Sequence, residues 1–250
     1  MSRKNACGFR ALLALLCGCL LATARADDGI APLLQQADAY RLAEKNALVD
    51  VEVDVLRHGE VDKQRQYAVY VKPGRRSLVV MKTPIEIGQK VLMLGEQFWL
   101  LMPDTQRPLR ITASQKLLGE AAVGDVASLT WSEDYDGTLA GEEAIDGRPC
   151  LHLSLQARRP VTYSRIELWL DKASREPVKA DFFVGSDKRA KEARFELSHL
   201  AGRRRVTRMV LIDNLQAGKQ TVVRYLAFRE HQLGDESFNP AALVRRVAVE

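Results

Sequence analysis

The alternation of apolar and polar residues predicts a chain that is mainly β. Between residues 49 and 55, valine alternates strictly with acidic residues, which is the pattern of a strand with one buried and one exposed face. Further apolar segments of strand length follow, divided by turn signals such as Pro73-Gly74 and Asp146-Gly147. The gaps between them are too short for helical crossovers, so neighbouring strands should pair antiparallel. We expect about eleven strands in one strongly curved sheet.

Two segments outside these strands have helical signals. Apolar residues at helical spacing predict an amphipathic N-terminal helix over Ile30–Lys45, with Asp27 or Asp28 as its cap. Near the end of the chain, Asn239 precedes a proline, which favours a short helix over Pro240–Arg246. The fold class is therefore α+β, with most residues in strands.

The segment Ser114–Ser132 interrupts the series of strands. Its apolar pairs, Leu117 with Leu118 and Ala121 with Ala122, suit a short helix better than a strand. It directly follows the most apolar part of the chain. We therefore expect a mid-chain helical lid over one end of the sheet.

The most apolar part of the chain is a predicted hairpin, Val91–Leu94 and Phe98–Met102, which turns at Gly95-Glu96. Apolar residues fill both alternation phases, whereas a half-buried strand needs them on one face only. Either both faces of this hairpin are covered by protein, or one face serves a hydrophobic ligand.

Several short motifs resemble the LolA-like family of outer-membrane lipoprotein-sorting proteins. The resemblance implies an unclosed β-barrel whose concave side is capped by helices. It also implies carriage of lipoprotein acyl chains, and some relatives accompany inner-membrane export pumps. Two positions depart from the family pattern: Leu101, where tyrosine is frequent, and Gly124–Ser128, where a Gly-Ser-Asp-Phe-like segment is frequent. The matching motifs are Lys82-Thr83-Pro84, Gly88-Gln89-Lys90-Val91-Leu92, Phe98-Trp99-Leu100-Leu101-Met102-Pro103, Arg110-Ile111-Thr112-Ala113-Ser114, Trp131-Ser132-Glu133-Asp134-Tyr135 and Ile145-Asp146-Gly147-Arg148-Pro149-Cys150.

A cavity for acyl chains is the binding site that this pattern suggests, lined by one alternation phase of the hairpin. Each methylene moved from water into such a cavity gains about 0.8 kcal/mol, so one long chain gains on the order of 10 kcal/mol before ordering costs. Release then requires a mobile lid. The predicted lipid-binding residues are Leu92, Leu94, Trp99, Leu101 and Ile111, with Trp131 in the lid.

The N-terminus has the features of a cleavable signal peptide. Basic residues precede an apolar run over residues 11–22, and Ala24-Arg25-Ala26 supplies small residues where signal peptidase cleaves. We expect cleavage after Ala26, a single domain over residues 27–250, and a periplasmic location. A minor alternative is a lipid anchor on Cys19.

Removal of residues 1–26 changes the charge balance. It takes away four basic residues and no acid, so the formal net charge falls from +5 to +1. The remaining chain gives no reason to expect a nucleic-acid partner. Its single cysteine, Cys150, opens an apolar strand and is expected to be a small buried hydrophobe, with a reactive thiol as the alternative.

The sequence lacks the usual signatures of an enzyme. Its four histidines are not at metal-ligand spacing, and there is no G-x-S-x-G motif or phosphate loop. His152 and His199 are expected to be structural residues in strands. We therefore expect no catalytic residues, no metal and no cofactor.

Pairs and triplets of basic residues recur, and most of them lie at predicted turns. They are expected to be solvated turn charges; the alternative is a cationic rim that meets lipid phosphates, for which Arg203–Arg205 is the best candidate.

The functional hypothesis is a monomeric, non-enzymatic periplasmic carrier of a lipoprotein acyl moiety or another lipid. An inner-membrane transporter is the possible protein partner that the resemblance implies. The alternative is an adaptor whose apolar face binds a protein of a membrane complex.

Overall fold

The computed structural model describes residues 29–41, 46–118, 121–126, 130–185, 188–213 and 218–245. The predicted signal peptide, the alternative anchor at Cys19 and the helix cap at Asp27 or Asp28 lie outside the described residues.

The chain first forms six consecutive strands, each paired with the next. The alternating valines fall in the first of them, as predicted, and the two halves of the apolar hairpin are the fourth and fifth. These strands are β1 (Ala47–Arg57), β2 (Glu60–Lys72), β3 (Arg76–Met81), β4 (Lys90–Leu94), β5 (Gln97–Leu101) and β6 (Leu109–Ile111).

A second series of seven strands follows the lid segment, and the last of them pairs with β1. Between the two series lies a separate small hairpin of β7 (Lys116–Leu118) and β8 (Ala121–Ala122). The seven strands are β9 (Tyr135–Ile145), β10 (Arg148–Ala157), β11 (Arg165–Asp171), β12 (Pro177–Phe183), β13 (Arg189–Leu200), β14 (Arg203–Asp213) and β15 (Lys219–Glu230).

Within the described residues, thirteen strands form one antiparallel sheet in the order β6-β5-β4-β3-β2-β1-β15-β14-β13-β12-β11-β10-β9. The predicted class is confirmed, but the expected number of about eleven strands is too low. The edge strands β6 and β9 are at opposite ends of this order, so the sheet does not close into a barrel. Closely spaced turns allow this topology because each strand pairs with its chain neighbour.

We call the two sides of the sheet the inner and outer faces. The inner face carries the larger core, to which strands near both edges contribute, including Phe98 of β5 and Leu153 of β10. Side chains so far apart in the strand order meet in one core because the sheet curves around it. The outer face carries a smaller core on β1 to β5, which includes Leu78 and Leu92.

The helices are shorter than the sequence predicts. The first, α1, is Ile30–Ala39 rather than Ile30–Lys45, and Tyr40 is its C-cap. The predicted C-terminal helix is only a 3-10 turn over Pro240–Ala242, although Asn239 does cap it by accepting a hydrogen bond from the Ala241 N–H at 2.9 Å. Two other 3-10 turns are Pro84–Glu86 and Asp235–Ser237.

The segment Ser114–Ser132, predicted to be a helical lid, also differs from its prediction. With Glu133 and Asp134, which complete its last helix, we call it the lid segment. Leu117 and Leu118 with Ala121 and Ala122 form the β7–β8 hairpin instead of a helix. Two single-turn helices follow, α2 (Val123–Val126) and α3 (Trp131–Asp134). The hairpin forms instead of a helix because the backbone groups of β7 and β8 pair with each other. One isolated helical turn has little stability by itself.

α1 packs against the start of β9, and a glycine allows the close approach. A Cβ at Gly137 would lie 2.7 Å from Ile30 Cγ2 and 2.8 Å from Leu155 Cδ2. The missing side chain therefore lets α1 sit directly on the inner face, next to the lid segment.

Candidate functional site

Both faces of the apolar hairpin are covered by the protein. On the inner face, Val91, Met93 and Phe98 join the larger core. On the outer face, Leu92 and Leu101 pack in a core that also holds side chains of the C-terminal segment, residues 231–245. The double apolar pattern thus has a structural explanation, with a different cover on each side.

The six predicted lipid-binding residues do not lie on one face. Four belong to the outward alternation phase of the hairpin, whereas Ile111 and Trp131 pack in the inner core. Leu92 is fully buried, Leu101 is nearly so, and Trp99 is half-buried with the Arg110 guanidinium 5.1 Å from its ring centre. Leu94 is half-buried beside the turn. The six residues therefore do not form one surface, and their role in lipid binding stays a prediction.

The lid segment is attached to α1 through one buried carboxylate. Asp38 accepts a hydrogen bond from the Trp131 N–H at 3.0 Å and others from the N–H and hydroxyl of Ser132, both at 2.8 Å. These amides begin α3, where the helix itself offers them no acceptor. Burial raises the pKa of Asp38, and the nearby Arg41 guanidinium only partly opposes that effect.

A second buried carboxylate attaches α3 to the sheet. Asp134 is 0 % exposed and accepts a hydrogen bond from Arg75, in the turn between β2 and β3. Arg159 lies 3.6 Å away, and the Thr130 N–H donates to the same carboxylate at 3.1 Å. Burial raises the pKa of Asp134 more than the two guanidinium groups lower it.

A third carboxylate attaches α2 to the sheet. Asp125 accepts hydrogen bonds from the Tyr163 hydroxyl and from the Lys191 ammonium, both at 2.8 Å. The Asp125 and Lys191 side chains are each only 6 % exposed. The lid is thus fastened by buried ionic and hydrogen-bonded contacts, and apolar side chains lie beneath it.

Two small voids lie beneath the lid among the residues that the structure describes. One, of about 30 Å³, lies between Trp131, Phe195 and Met209. Another, of about 10 Å³, lies between Val49, Val126 and other apolar residues. A void of this size holds about one water molecule, so neither of these two has room for an acyl chain.

A wider recess is an open groove on the outer face, where β3 and β5 end and β4 begins. Its volume is about 790 Å³. The C-terminal segment forms one wall, and the loops that flank the hairpin form the other. We call this recess the outer groove, and its lining residues are Val80, Met81, Lys82, Ile87, Gly88, Lys90, Leu101, Pro103, Thr105, Gln106, Leu243, Val244 and Arg245.

One cationic side chain is buried at the outer groove. The Lys90 ammonium donates hydrogen bonds to the carbonyls of Leu243 at 2.8 Å and Arg245 at 2.5 Å. Its burial lowers its pKa. Lys90 therefore holds the C-terminal segment on the sheet.

The other candidate residues have structural partners or lie exposed. The His152 Nε2 atom forms a hydrogen bond of 2.9 Å with the Glu167 carboxylate, and the imidazole ring stacks on Trp169. His199 is exposed on β13 and is not a core histidine. Cys150 is buried, as expected, and burial raises the pKa of its thiol. No group of metal-ligating side chains occurs in the described part of the chain.

Each arginine of the cluster at the start of β14 has a partner within the protein. Arg203 donates to the Ala39 carbonyl at 2.5 Å, and Arg204 pairs with Glu176 at the same distance. The Arg205 guanidinium lies 4.3 Å from the centre of the Phe228 ring. These contacts give the cluster a structural role, and the Arg204 side chain is still 44 % exposed at the surface.

Solved structures with the same fold include proteins named for lipoprotein sorting. A LolA superfamily protein from Nitrosomonas europaea is 30% identical with a TM-score of 0.77, and the match covers 83% of this chain and 96% of that one. A DUF1329 family protein from Desulfovibrio piger is 24% identical with a TM-score of 0.70, covering 85% and 97%. A domain described as an outer-membrane lipoprotein-sorting protein, from Vibrio parahaemolyticus, is 20% identical with a TM-score of 0.71, covering 86% and 98%.

The sheet, the lid segment and these similarities define a LolA-type half-barrel. The chain belongs to the LolA superfamily. A family model described only as an uncharacterized protein matches residues 73–245. No curated protein matches the chain. Among the residues that the structure describes, none of the helices has the length and apolar character needed to cross a bilayer.

Sequence reasoning missed the three carboxylates that hold the lid, and it missed the outer groove. Nothing local marks Asp38, Asp125 or Asp134, because each bonds to a residue distant in sequence or is buried only by the fold. The outer cover had a weak signal, since Phe238 and Leu243 are large apolar residues that follow the last predicted strand.

Proposed function

We propose that the protein is a non-enzymatic periplasmic carrier for the acyl chains of a lipoprotein or another lipid. Membership of the LolA superfamily supports this function. The observation that carries it is the construction of the lid, which covers the inner core and is fastened by the three buried carboxylates. Opening the lid exposes a continuous apolar surface without unfolding the sheet.

In this mechanism, acyl chains replace the lid residues that fill the interior in the closed form. Burial of each methylene contributes about 0.8 kcal/mol, so two chains of ordinary length offset the loss of several polar contacts. Because the closed form competes with the ligand, the apparent affinity depends on the fraction of open molecules. A donor or acceptor of the cargo, such as an inner-membrane transporter, then acts by stabilising the open lid.

The test is a titration of the delipidated protein with a diacylated lipopeptide, with calorimetry as the readout. The variant Asp38→Ala loosens α3 and should bind the lipopeptide more tightly, by up to about tenfold if the closed lid limits binding. The control is Asp136→Ala, which removes an exposed carboxylate on β9 next to the lid.

Trp131 reports on the same event. Its indole packs edge to face against Phe195, with ring centres 5.8 Å apart, so lid opening should change its fluorescence. Replacing Trp99 and Trp169 by phenylalanine isolates this signal. If the lipopeptide does not bind, or if it binds without any change in Trp131 and equally to Asp38→Ala, the proposal is wrong.

A further inference from the structure

The outer groove combines an apolar floor with basic groups. Val80, Leu101 and Leu243 form the floor and are buried in the outer core. At the rim, Ile87 is 64 % exposed and Val244 is 46 % exposed. Large apolar side chains in such positions favour a ligand that removes them from water.

The charged residues that line the groove are all basic. Lys82, Lys90 and Arg245 line it, and none of the described lining residues is acidic. Lys90 is 7 % exposed, and no carboxylate among the described residues is paired with its ammonium. Buried charges in proteins are normally paired, so an anion is the complement that this ammonium lacks.

The hydrogen bonds of Lys90 leave room for such an anion. An ammonium has three N–H donors, and two of them meet the carbonyls of Leu243 and Arg245. The third donor remains for a ligand oxygen. One donor beside an apolar channel fits a single small anionic headgroup with one long tail better than it fits an extended acidic peptide.

We propose that the outer groove binds a long-chain fatty acid, with its carboxylate on the Lys90 ammonium and its acyl chain across Leu101 and Val244. The volume of about 790 Å³ is within the usual range of ligand pockets, about 300–1,000 Å³. A charge-assisted hydrogen bond fixes the headgroup, and the apolar floor supplies most of the affinity. This site lies on the face opposite the lid and is independent of the proposed lid-gated interior.

The experiment is calorimetric titration of the delipidated full-length protein with palmitate. Lys90→Met keeps the apolar stem of the side chain and removes the charge, so palmitate should bind about tenfold more weakly or worse. Lys63→Met removes an exposed lysine on β2 and should bind palmitate like the unmodified protein.

Lys90→Met could weaken palmitate binding only because it loosens the C-terminal segment, so a second variant tests the groove without removing the Lys90 hydrogen bonds. Val244→Asp places a carboxylate at the exposed rim, so it should leave the thermal unfolding temperature unchanged and still weaken palmitate binding by about tenfold. Val61→Asp, at an exposed valine of β2, is the matched control and should have no effect.

Two ligands with other headgroups test whether the groove recognises a carboxylate. Hexadecanol has the same tail without the charge, so it should bind more weakly than palmitate and respond little to Lys90→Met. A lysophospholipid of equal chain length that binds more tightly than palmitate, with the same dependence on Lys90, would overturn the carboxylate assignment.

The two proposals fail in different ways. Palmitate affinity that is unchanged in both Lys90→Met and Val244→Asp overturns the outer-groove site. Palmitate affinity that follows the lid variant Asp38→Ala instead places the chain in the interior, which overturns the groove proposal and leaves the carrier function intact. Lipopeptide binding should be insensitive to Val244→Asp.

Discussion

Asp38 on α1 and Ser132 on α3 are 94 residues apart in sequence, yet one carboxylate oxygen of Asp38 accepts hydrogen bonds from both the N–H and the hydroxyl of Ser132, each at 2.8 Å. A residue on the N-terminal helix thus acts as the cap of a helix in the lid. This arrangement makes the attachment of the lid depend on a few polar groups, and the consequences can be measured.

Removing the Asp38 cap should loosen the lid more than it destabilises the protein. Asp38→Ala deletes the acceptor of three hydrogen bonds from the lid and one from Arg41, and it should cost about 1 to 2 kcal/mol of unfolding free energy, the upper range for loss of a helix cap. Hydrogen exchange should quicken at the amides of Trp131 and Ser132 and remain slow in β1 and β15. Equal loss of protection in the lid and in those central strands would contradict a local role.

Breaking the ion pair between Arg75 and Asp134 should be more costly. Asp134→Ala leaves the Arg75 guanidinium largely buried without its main carboxylate, so unfolding free energy should fall by about 3 to 5 kcal/mol. Replacing both residues by apolar ones should recover much of that loss. A double-mutant cycle in urea checks this, and additive single effects would show that the pair does not interact.

Protonation of Asp134 should contribute to the pH dependence of the unfolding free energy. Its pKa lies above the ordinary value of 3.8 because burial outweighs the nearby guanidinium groups. The folded protein therefore binds this proton more tightly than the unfolded chain does, and stability is lost as pH rises through the window between the ordinary and raised values.

Asp134→Asn has no such proton to bind. Relative to this variant, the unmodified protein should become less stable as pH rises from about 4 towards neutral, and the difference should level off above the raised pKa. Urea unfolding at a series of pH values measures it. A difference that grows in the opposite direction would mean that the carboxylate is better stabilised in the folded protein than in water.

The outer core should depend on its C-terminal cover. Phe238 is buried in the outer core, so Phe238→Ala should cost about 3 kcal/mol and make the C-terminal segment sensitive to protease. Val61→Ala, an exposed apolar truncation on β2, should change stability by less than about 0.5 kcal/mol. Intact protease resistance in Phe238→Ala would show that Lys90 alone holds the segment.

Much of the fold could be predicted because strand patterns and tight turns are local. The valines of β1 are buried on one face, whereas on the other face Asp50 and Glu52 are half-buried and Asp54 is buried, because side chains in a strand alternate in direction. The turns at Gly74 and Gly147 have positive φ angles that glycine adopts without strain, so their positions could be recognised before the strands were paired. The sequence alone thus determined the antiparallel pairing of the strands and the apolar character of both faces of the hairpin.

Only the tertiary structure decided which segment covers each face of the hairpin and which polar contacts hold that segment in place. Leu92 and Val91 are adjacent and equally apolar, yet one packs beneath the C-terminal segment and the other beneath the lid. The same holds for Asp38, Asp134 and Lys90, whose partners come from distant segments. Long-range contacts of this kind follow from the pairing of β15 with β1, which joins the two series of strands into one curved sheet. No local pattern specifies the groups that this pairing brings together.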